Sequence, residues 1–482
     1  MSLVFKAIKF YDFFPEKSTA LIFGNLALTS LNFLTVVVLS NELNINIYGQ
    51  IREIMLYASF IFLFCSAGFS QTLYYFLNKT DNILEVLRIT GTLRFLTFIF
   101  SLFVFSITAV YLFNFSTSLT LYELILLAIY LVPLILSSID LNLNYYHKRE
   151  KQFFLANIVV ITLKLILLSY FTKYEFSIIN FLLILAVTQW LSVFYSIYLL
   201  KERYFGIFIL GSDFSLLKKQ IIYAYPITFS AIIGFLVLNT DKIIVSFSSI
   251  TKDKLAILSN ISFEAPIIST IYLSFFTISL PYMIKAFDKG DFEQVLSERF
   301  DYIFKVAKII LPVVVSFIVW SNDYMVLIFG ATYKEYGGLF AIFSTISLLR
   351  FCSHHDIFLA TNNTSYILFY QIIELVFQVI LSISLYYFFD LLGLIIASVI
   401  TNYGYMFFVN LKSSKILKVK FKDILPFAFL IKRMVTLSIS AIIVKYVFEN
   451  IFTNIFWMIP LIIWLLIIAF VEFRILKGQN SQ

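Results

Sequence analysis

The 482-residue chain is 61% hydrophobic and 13% charged, with a formal net charge of +8 and a mean hydropathy of +0.92. No water-soluble domain could hide so much apolar surface, and a transmembrane barrel would show short strands of alternating polarity where this chain has long apolar runs. The fold class is therefore that of an all-α polytopic integral membrane protein. Cys65 and Cys352 each lie inside an apolar run and exclude a disulfide framework or a CxxC metal site.

Met1 to Lys17 mixes Lys6, Lys9 and Lys17 with Asp12 and Glu16, and a run of full membrane length follows at once. The first helix, not a cleavable peptide, is expected to target the chain. A helix needs about 20 apolar residues to cross the hydrocarbon core. Runs of that kind, bounded by charge, Asn or Gly, number fourteen: 18–40, 53–77, 95–113, 119–139, 153–171, 177–199, 221–246, 257–283, 303–321, 337–360, 366–389, 391–411, 427–448 and 455–473. Little more than Asp390 and Leu391 parts the eleventh from the twelfth. The grouping expected is a six-helix bundle over 1–200, a second over 201–411, and a basic linker with two trailing helices over 412–482. An offset of 207 lays Leu31–Leu34 (LNFL) on Leu238–Asp241 (LNTD), which suits parallel repeats flanking a midplane site.

An even count places both termini on one side. The N-terminus, the even-numbered loops and the C-terminus, with their adjoining helix turns, hold 27 of the 36 Lys and Arg, whereas the odd-numbered loops hold 6. Lys164, Lys242 and Arg350 lie inside helices. Basic residues stay in the cytoplasm, so both termini are expected there. The positive charge thus serves topology, and no nucleic-acid partner is implied. Its densest segment, Lys412–Lys422 (KSSKILKVKFK), alternates Lys with apolar residues and reads as an interfacial link on anionic lipid, with partner docking as the competing reading.

No loop is long enough to form a soluble catalytic domain, so the chain is not expected to be an enzyme. There is no Walker loop, GxSxG or HExxH, and no motif for a cofactor. His354, His355 and Asp356 are consecutive, and on a helix they would point about 100 degrees apart, too far to share a metal ion. Asn363-Thr364-Ser365 matches a glycosylation sequon but falls in a loop expected to be cytoplasmic.

What remains is a set of polar residues inside helices. Tyr223–Val245 opens with Pro226 and carries Asp241 and Lys242 in its outer third. An Asp or Lys near a helix centre costs roughly 2.5 to 3.5 kcal/mol on insertion, so these charges either snorkel and pair or face an aqueous cavity. Arg350 is expected mid-helix with His354 one turn on and on the same face, and Lys164 mid-helix in the fifth stretch. Together they read as a cationic lining for an anionic substrate, or as partners of buried carboxylates. Asp241, Glu264 and Glu374, the last with Gln378 one turn beyond, are candidates for ion coupling. Opposite running directions would put Asp241 and Glu264 at similar depth. Asn32 and Gln71 are neutral cavity candidates, though such residues also serve as interhelical glue.

Several stretches together resemble the polysaccharide-export flippases of the Wzx type. Asn32–Gln50 (NFLTVVVLSNELNINIYGQ) holds the family's Asn-Phe helix and its Tyr-Gly pair, here Tyr48-Gly49; Gly68-Phe69-Ser70-Gln71 matches the close of the second helix. Pro226 with Asp241-Lys242-Ile243-Ile244, Leu280-Pro281, Ile328-Phe329-Gly330 with Tyr333, and Leu392-Gly393-Leu394 continue the match along the chain. Lys242 stands where Arg is commoner, and Ala256-Ile257-Leu258 where Gly-x-Tyr is usual.

The resemblance implies the fold of the multidrug/oligosaccharidyl-lipid/polysaccharide (MOP) superfamily, two six-helix bundles around a cavity plus two trailing helices. It implies a polyprenyl-diphosphate-linked (undecaprenyl-diphosphate) oligosaccharide as cargo, moved across the bacterial inner membrane for O-antigen, capsule or related assembly by alternating access. A polymerase and chain-length machinery would act next. Arg350, Lys164, Lys242, Asn32 and Gln71 would line the cavity, and Asp241, Glu264 and Glu374 would couple an ion. The competing readings are a drug/cation antiporter of the same superfamily, which would favour a lumen rich in carboxylates, and a flippase for a lipid-linked peptidoglycan precursor. A membrane glycan-modifying enzyme would need a catalytic loop, and a purely structural scaffold would not explain mid-helix charges.

Overall fold

Apolar runs of this length leave their backbone polar groups no partner in lipid except one another, so the chain must close its hydrogen bonds within helices. The computed structural model describes residues 16–66, 68–77, 79, 82–115, 120–174, 176–208, 213–248, 252–363, 365–451 and 458–479. The mixed-charge segment up to Pro15 and Thr364 of the sequon lie outside the described residues. The described part of each of the fourteen apolar stretches is mostly helical, with non-helical breaks inside 257–283 and 337–360, and no strand occurs among the described residues.

The chain divides into two compact units, Met1–Leu236 and Val237–Gln482. The first holds α1 (Glu16–Glu42), α2 (Ile45–Ser66), α3 (Phe69–Leu77), α4 (Ile83–Phe115), α5 (Leu121–Leu136), α6 (Asp140–Tyr146), α7 (Glu150–Tyr174), α8 (Ile178–Leu200), α9 (Glu202–Phe205) and most of α10 (Phe214–Ser248). The second holds the end of α10, then α11 (Asp253–Ile261), α12 (Pro266–Asp288), α13 (Phe292–Val319), α14 (Ser321–Phe329), α15 (Gly337–Ser344), α16 (Asp356–Ala360), α17 (Ser365–Ile416), α18 (Phe427–Ile451) and α19 (Met458–Gln479).

Among the described residues eleven helical runs are long and apolar enough to span a bilayer. The protein is a multi-pass, all-α membrane protein. One of those runs, α17, has 52 residues. At 1.5 Å per residue it would be about 78 Å long, against a core of roughly 30 Å. It does not run straight. Asp390 adopts φ 52°, ψ −135° and breaks it where the eleventh and twelfth stretches meet. Gly393 lets the two arms close up there, since a Cβ on it would stand 2.0 Å from the Leu385 carbonyl oxygen.

Local chemistry sets the other boundaries. Thr120 and Glu123 form a reciprocal capping box at the start of α5, and Ser177 and Asp291 cap α8 and α13. Gly68, at φ 81°, supplies the left-handed turn between α2 and α3. Two boundaries differ from expectation in a way that matters below. The third and ninth stretches were placed from 95 and 303, but their helices begin at Ile83 and Phe292. Charge marks where hydrocarbon ends, not where a helix does, so Arg94 and Arg299 lie within helices and not in loops.

Unit 1 packs Phe69, Leu73, Leu93, Ile139, Leu143, Val193 and Tyr204 into one core. Unit 2 is centred on α13, where Ile303, Val306, Ala307, Ile310, Leu311 and Val314 are fully buried and Trp320 meets Trp464 of α19. Many large apolar side chains instead point outward, among them Phe388, Tyr198 and Phe470, as they must where lipid is the solvent.

Candidate functional site

In unit 2 the candidate charges sit where helices are interrupted. Pro266 has no N–H to donate and drives Ala265 into extended backbone (φ −62°, ψ 122°), so α11 ends at Ile261 and α12 restarts at Pro266. Glu264 is held on that unwound turn. Arg350 lies in a 3₁₀ segment, Thr345–Phe351, with its own backbone non-helical (φ −78°, ψ 16°). The two meet across the breaks: Arg350 Nε and Nη2 donate to Glu264 Oε1 and Oε2 at 2.9 and 3.1 Å. This bidentate fork leaves the side chains 25% and 28% exposed, so the pair is not fully enclosed by protein. Glu374 of α17 adds its field to the same guanidinium.

The expectation that Arg350 and His354 share one helical face does not hold, because Cys352 is extended (φ −149°, ψ 164°) and the helix stops before His354. The His354 ring meets the Leu349 carbonyl, Asn410 and Cys352 Sγ instead. Its Nε2 donates to the Leu349 carbonyl at 3.1 Å, and its Nδ1 accepts from Asn410 Nδ2 at 3.2 Å. His355 Nε2 meets the Tyr405 hydroxyl. Asp356 turns inward to Arg299. Gln378, placed one turn from Glu374, binds Ser382, Ser398 and Thr401 across the two arms of α17, which is interhelical glue.

Asp241 is buried and accepts the Lys242 backbone N–H at 2.8 Å, while Lys242 Nζ lies 3.7 Å from the same carboxylate. Within unit 1, Lys164 of α7 donates to Asn32 Oδ1 of α1 at 2.8 Å. Gln71 is exposed on α3, beside Ser70, whose carbonyl and hydroxyl both accept from Asn142 at 2.8 Å. Within unit 2 Arg350 meets Glu264 and Asp241 pairs with Lys242, and within unit 1 Asn32 pairs with Lys164.

Sequence reasoning missed two buried ion pairs. In unit 2 Arg299, fully buried, donates to Asp356 Oδ2 at 2.7 Å, to the Ile424 carbonyl at 2.8 Å and to Asn410 Oδ1 at 2.9 Å. Tyr302 also donates to Asp356. A continuous chain thus runs from Asp356 through Arg299, Asn410 and His354 to the backbone next to Arg350. In unit 1 Arg94 donates to Asp140 Oδ1 at 2.5 Å, to the Tyr204 carbonyl at 3.2 Å and to the Leu136 carbonyl, and stacks over the Tyr204 ring. The available signal was the position of Arg94 and Asp140 inside otherwise apolar helical periodicity. Among the described residues no group of three or more His, Cys, Asp or Glu is gathered as a metal site needs.

His147, between α6 and α7 and outside the spanning segments, is held down to about 4 from the usual 6.5 by burial and then by the cations of Arg203 and Arg149. A depressed folded value means that stability present above 6.5 is lost as pH falls toward 4, because the unfolded chain takes the proton first. His147→Gln is therefore expected to flatten the acid side of the melting-temperature profile of the detergent-solubilised protein. A slope identical to the parent's would count against it.

No protein-family model matches the chain, and no curated protein sequence matches it. Solved structures share its fold. The lipid II flippase MurJ in an inward closed conformation superposes with a TM-score of 0.65 at 15% identity, covering 96% of this chain and 99% of that one. An inward-facing multidrug resistance MATE family transporter of the MOP superfamily gives 0.60 at 14% identity over 81% of this chain and 95% of its own. A MOP superfamily transporter from Pyrococcus furiosus, described as having a binding pocket of reverse polarity, gives 0.54 at 12% identity over 84% and 95%. The fold is thus the MOP-type helical fold expected from the sequence.

Proposed function

We propose that the chain is a Wzx-type flippase that moves a polyprenyl-diphosphate-linked oligosaccharide from the cytoplasmic to the outer face of the bacterial inner membrane, with both termini in the cytoplasm. The observation that carries this reading is the extent of the likeness: 96% of the chain and 99% of the lipid II flippase superpose, against 81% of the chain with the MATE transporter. The Arg350–Glu264 fork adds chemistry to it. A guanidinium held bidentate by a carboxylate presents the geometry that a phosphate oxygen pair can take over.

In this mechanism the diphosphate displaces Glu264 from Arg350. The freed carboxylate, with Glu374 joining it in the coupling set, then takes up the coupling cation or proton, which returns when Glu264 reclaims the guanidinium. Lys164 and Asn32, Lys242 and Gln71 contact headgroup and sugar, and Asp241 joins the coupling set. Alternating access of the two units exposes the site to each side in turn. The same likeness favours a second reading, with the lipid-linked peptidoglycan precursor as cargo.

The test is to delete the gene, extract lipid-linked oligosaccharides, and assay surface polysaccharide beside drug tolerance. Loss of surface polymer with repeat units trapped on the cytoplasmic face is the expected result. Trapped peptidoglycan precursor would select the second reading, and intact polymer with sensitivity to cationic drugs would replace both with an antiporter.

A further inference from the structure

The two missed ion pairs share a plan. In each unit a buried Arg on a spanning helix (Arg94 of α4, Arg299 of α13) binds an Asp that begins a short helix after an interruption (Asp140, Asp356), and reaches on to a backbone carbonyl beyond a later long helix (Tyr204, Ile424). The segment that supplies that carbonyl contains, in both cases, a lysine in the left-handed region, Lys201 at φ 51° and Lys418 at φ 56°. Each unit therefore ties down the connector that leads to its next spanning helix.

Anchoring sorts the connector side chains. In unit 2, Leu417, Ile424 and Leu425 are 0 to 1% exposed and Phe421 packs between Phe407 and Phe427. Lys415, Lys418, Lys420 and Lys422 are left exposed, with Asp423 the one acid between Lys412 and Phe427. In unit 1, Tyr204 is buried, and the Ile207 N–H donates to the Leu87 carbonyl at 2.8 Å where Gly91 and Gly206 let two backbones touch. Lys201, Arg203, Lys218 and Lys219 remain outside.

We infer that these anchored connectors are docking surfaces for anionic phospholipid headgroups, the one in unit 2 being the stronger. Orientation by positive charge needs only the presence of lysines near a helix end. It does not need their backbone clamped by a buried guanidinium. The connector between α17 and α18, clamped at Ile424, carries Lys418, Lys420 and Lys422, with Lys415 in the last turn of α17, so their backbone is already ordered and binding loses little chain entropy. The inference stands apart from the cargo, because any membrane protein with this connector would bind lipid in the same way.

The experiment uses the full chain in neutral detergent, titrated with phosphatidylglycerol, phosphatidylcholine or inorganic phosphate and read by retained lipid and by melting temperature. Phosphatidylglycerol is expected to be retained in preference to phosphatidylcholine, less so at high salt. The variant Lys415→Gln/Lys418→Asn/Lys420→Gln/Lys422→Gln is expected to lose at least about tenfold in that preference, since each lysine near an anionic surface is worth about fivefold. Asn is used at 418 because it tolerates the left-handed backbone. Unchanged melting in phosphatidylcholine verifies folding; should the variant melt early, Lys420→Gln/Lys422→Gln carries the same test. Equal retention of the two lipids, a variant that binds like the parent, or displacement by inorganic phosphate would overturn the inference.

Discussion

Arg94→Gln is expected to destabilise the folded protein more than Arg299→Gln, which itself should cost about 3 to 5 kcal/mol as the breaking of a buried ion pair. The ordering follows from what each change leaves behind. Without Arg299, Asp356 still accepts from the Tyr302 hydroxyl and the Ile357 N–H. Without Arg94, Asp140 keeps only the nearby Ser196 hydroxyl, one neutral donor against the two left to Asp356, and its Oδ2 makes no well-formed hydrogen bond among the described residues. The Tyr204 and Leu136 carbonyls lose theirs as well. Removing both charges should recover part of the loss: Arg299→Met/Asp356→Leu takes away the uncompensated carboxylate, yet it orphans Asn410 Oδ1, Tyr302 and the Ile424 carbonyl, at about 1 to 3 kcal/mol for each buried group left unpaired. Unfolding of parent, singles and double in one detergent measures the order. A double variant no better than Arg299→Gln would show that the lost hydrogen bonds, not the charge, dominate.

Those same residues show where sequence reading stops. Apolar length locates helices because lipid forces each span to satisfy its own backbone, and the described part of each stretch is mostly helical for that reason. The break at Asp390 was legible from one charge between two apolar runs, whereas the turn at Gly68 falls inside the stretch 53–77, which reads as a single helix. Partner choice was not. Arg350 and Glu264 are 86 positions apart and Arg299 and Asp356 are 57 apart, and no spacing rule links residues that meet only through packing. Arg94 and Arg299 read as loop charges when a helix is ended with its apolar run. Their spacing puts His354 and Arg350 on one face only if the helix between them is unbroken. The breaks in α11–α12 and around Cys352 are what bring Glu264 and Arg350 together.

Replacing Arg350 with Ala is expected to lower transport by about 10- to 100-fold, the range set by losing charge-assisted hydrogen bonds of about 1.5 to 3 kcal/mol. Fold stability should change less than for Arg299→Gln, because this pair is about a quarter exposed whereas Arg299 and Asp356 are fully buried. Glu264→Gln should act differently. It leaves Arg350 without its competing carboxylate, so substrate binds at lower concentration, but nothing reclaims the guanidinium at release and turnover falls. The exchange Arg350→Glu/Glu264→Arg separates the two roles of the pair. If the fork only braces two interrupted helices, the exchanged pair braces them as well and transport returns. If the guanidinium takes phosphate from its place in the Thr345–Phe351 turn, the exchanged protein folds and melts like the parent and does not transport. Polymer export in the deletion strain, set beside melting temperature of the purified variants, decides between these outcomes, and the second is the one expected.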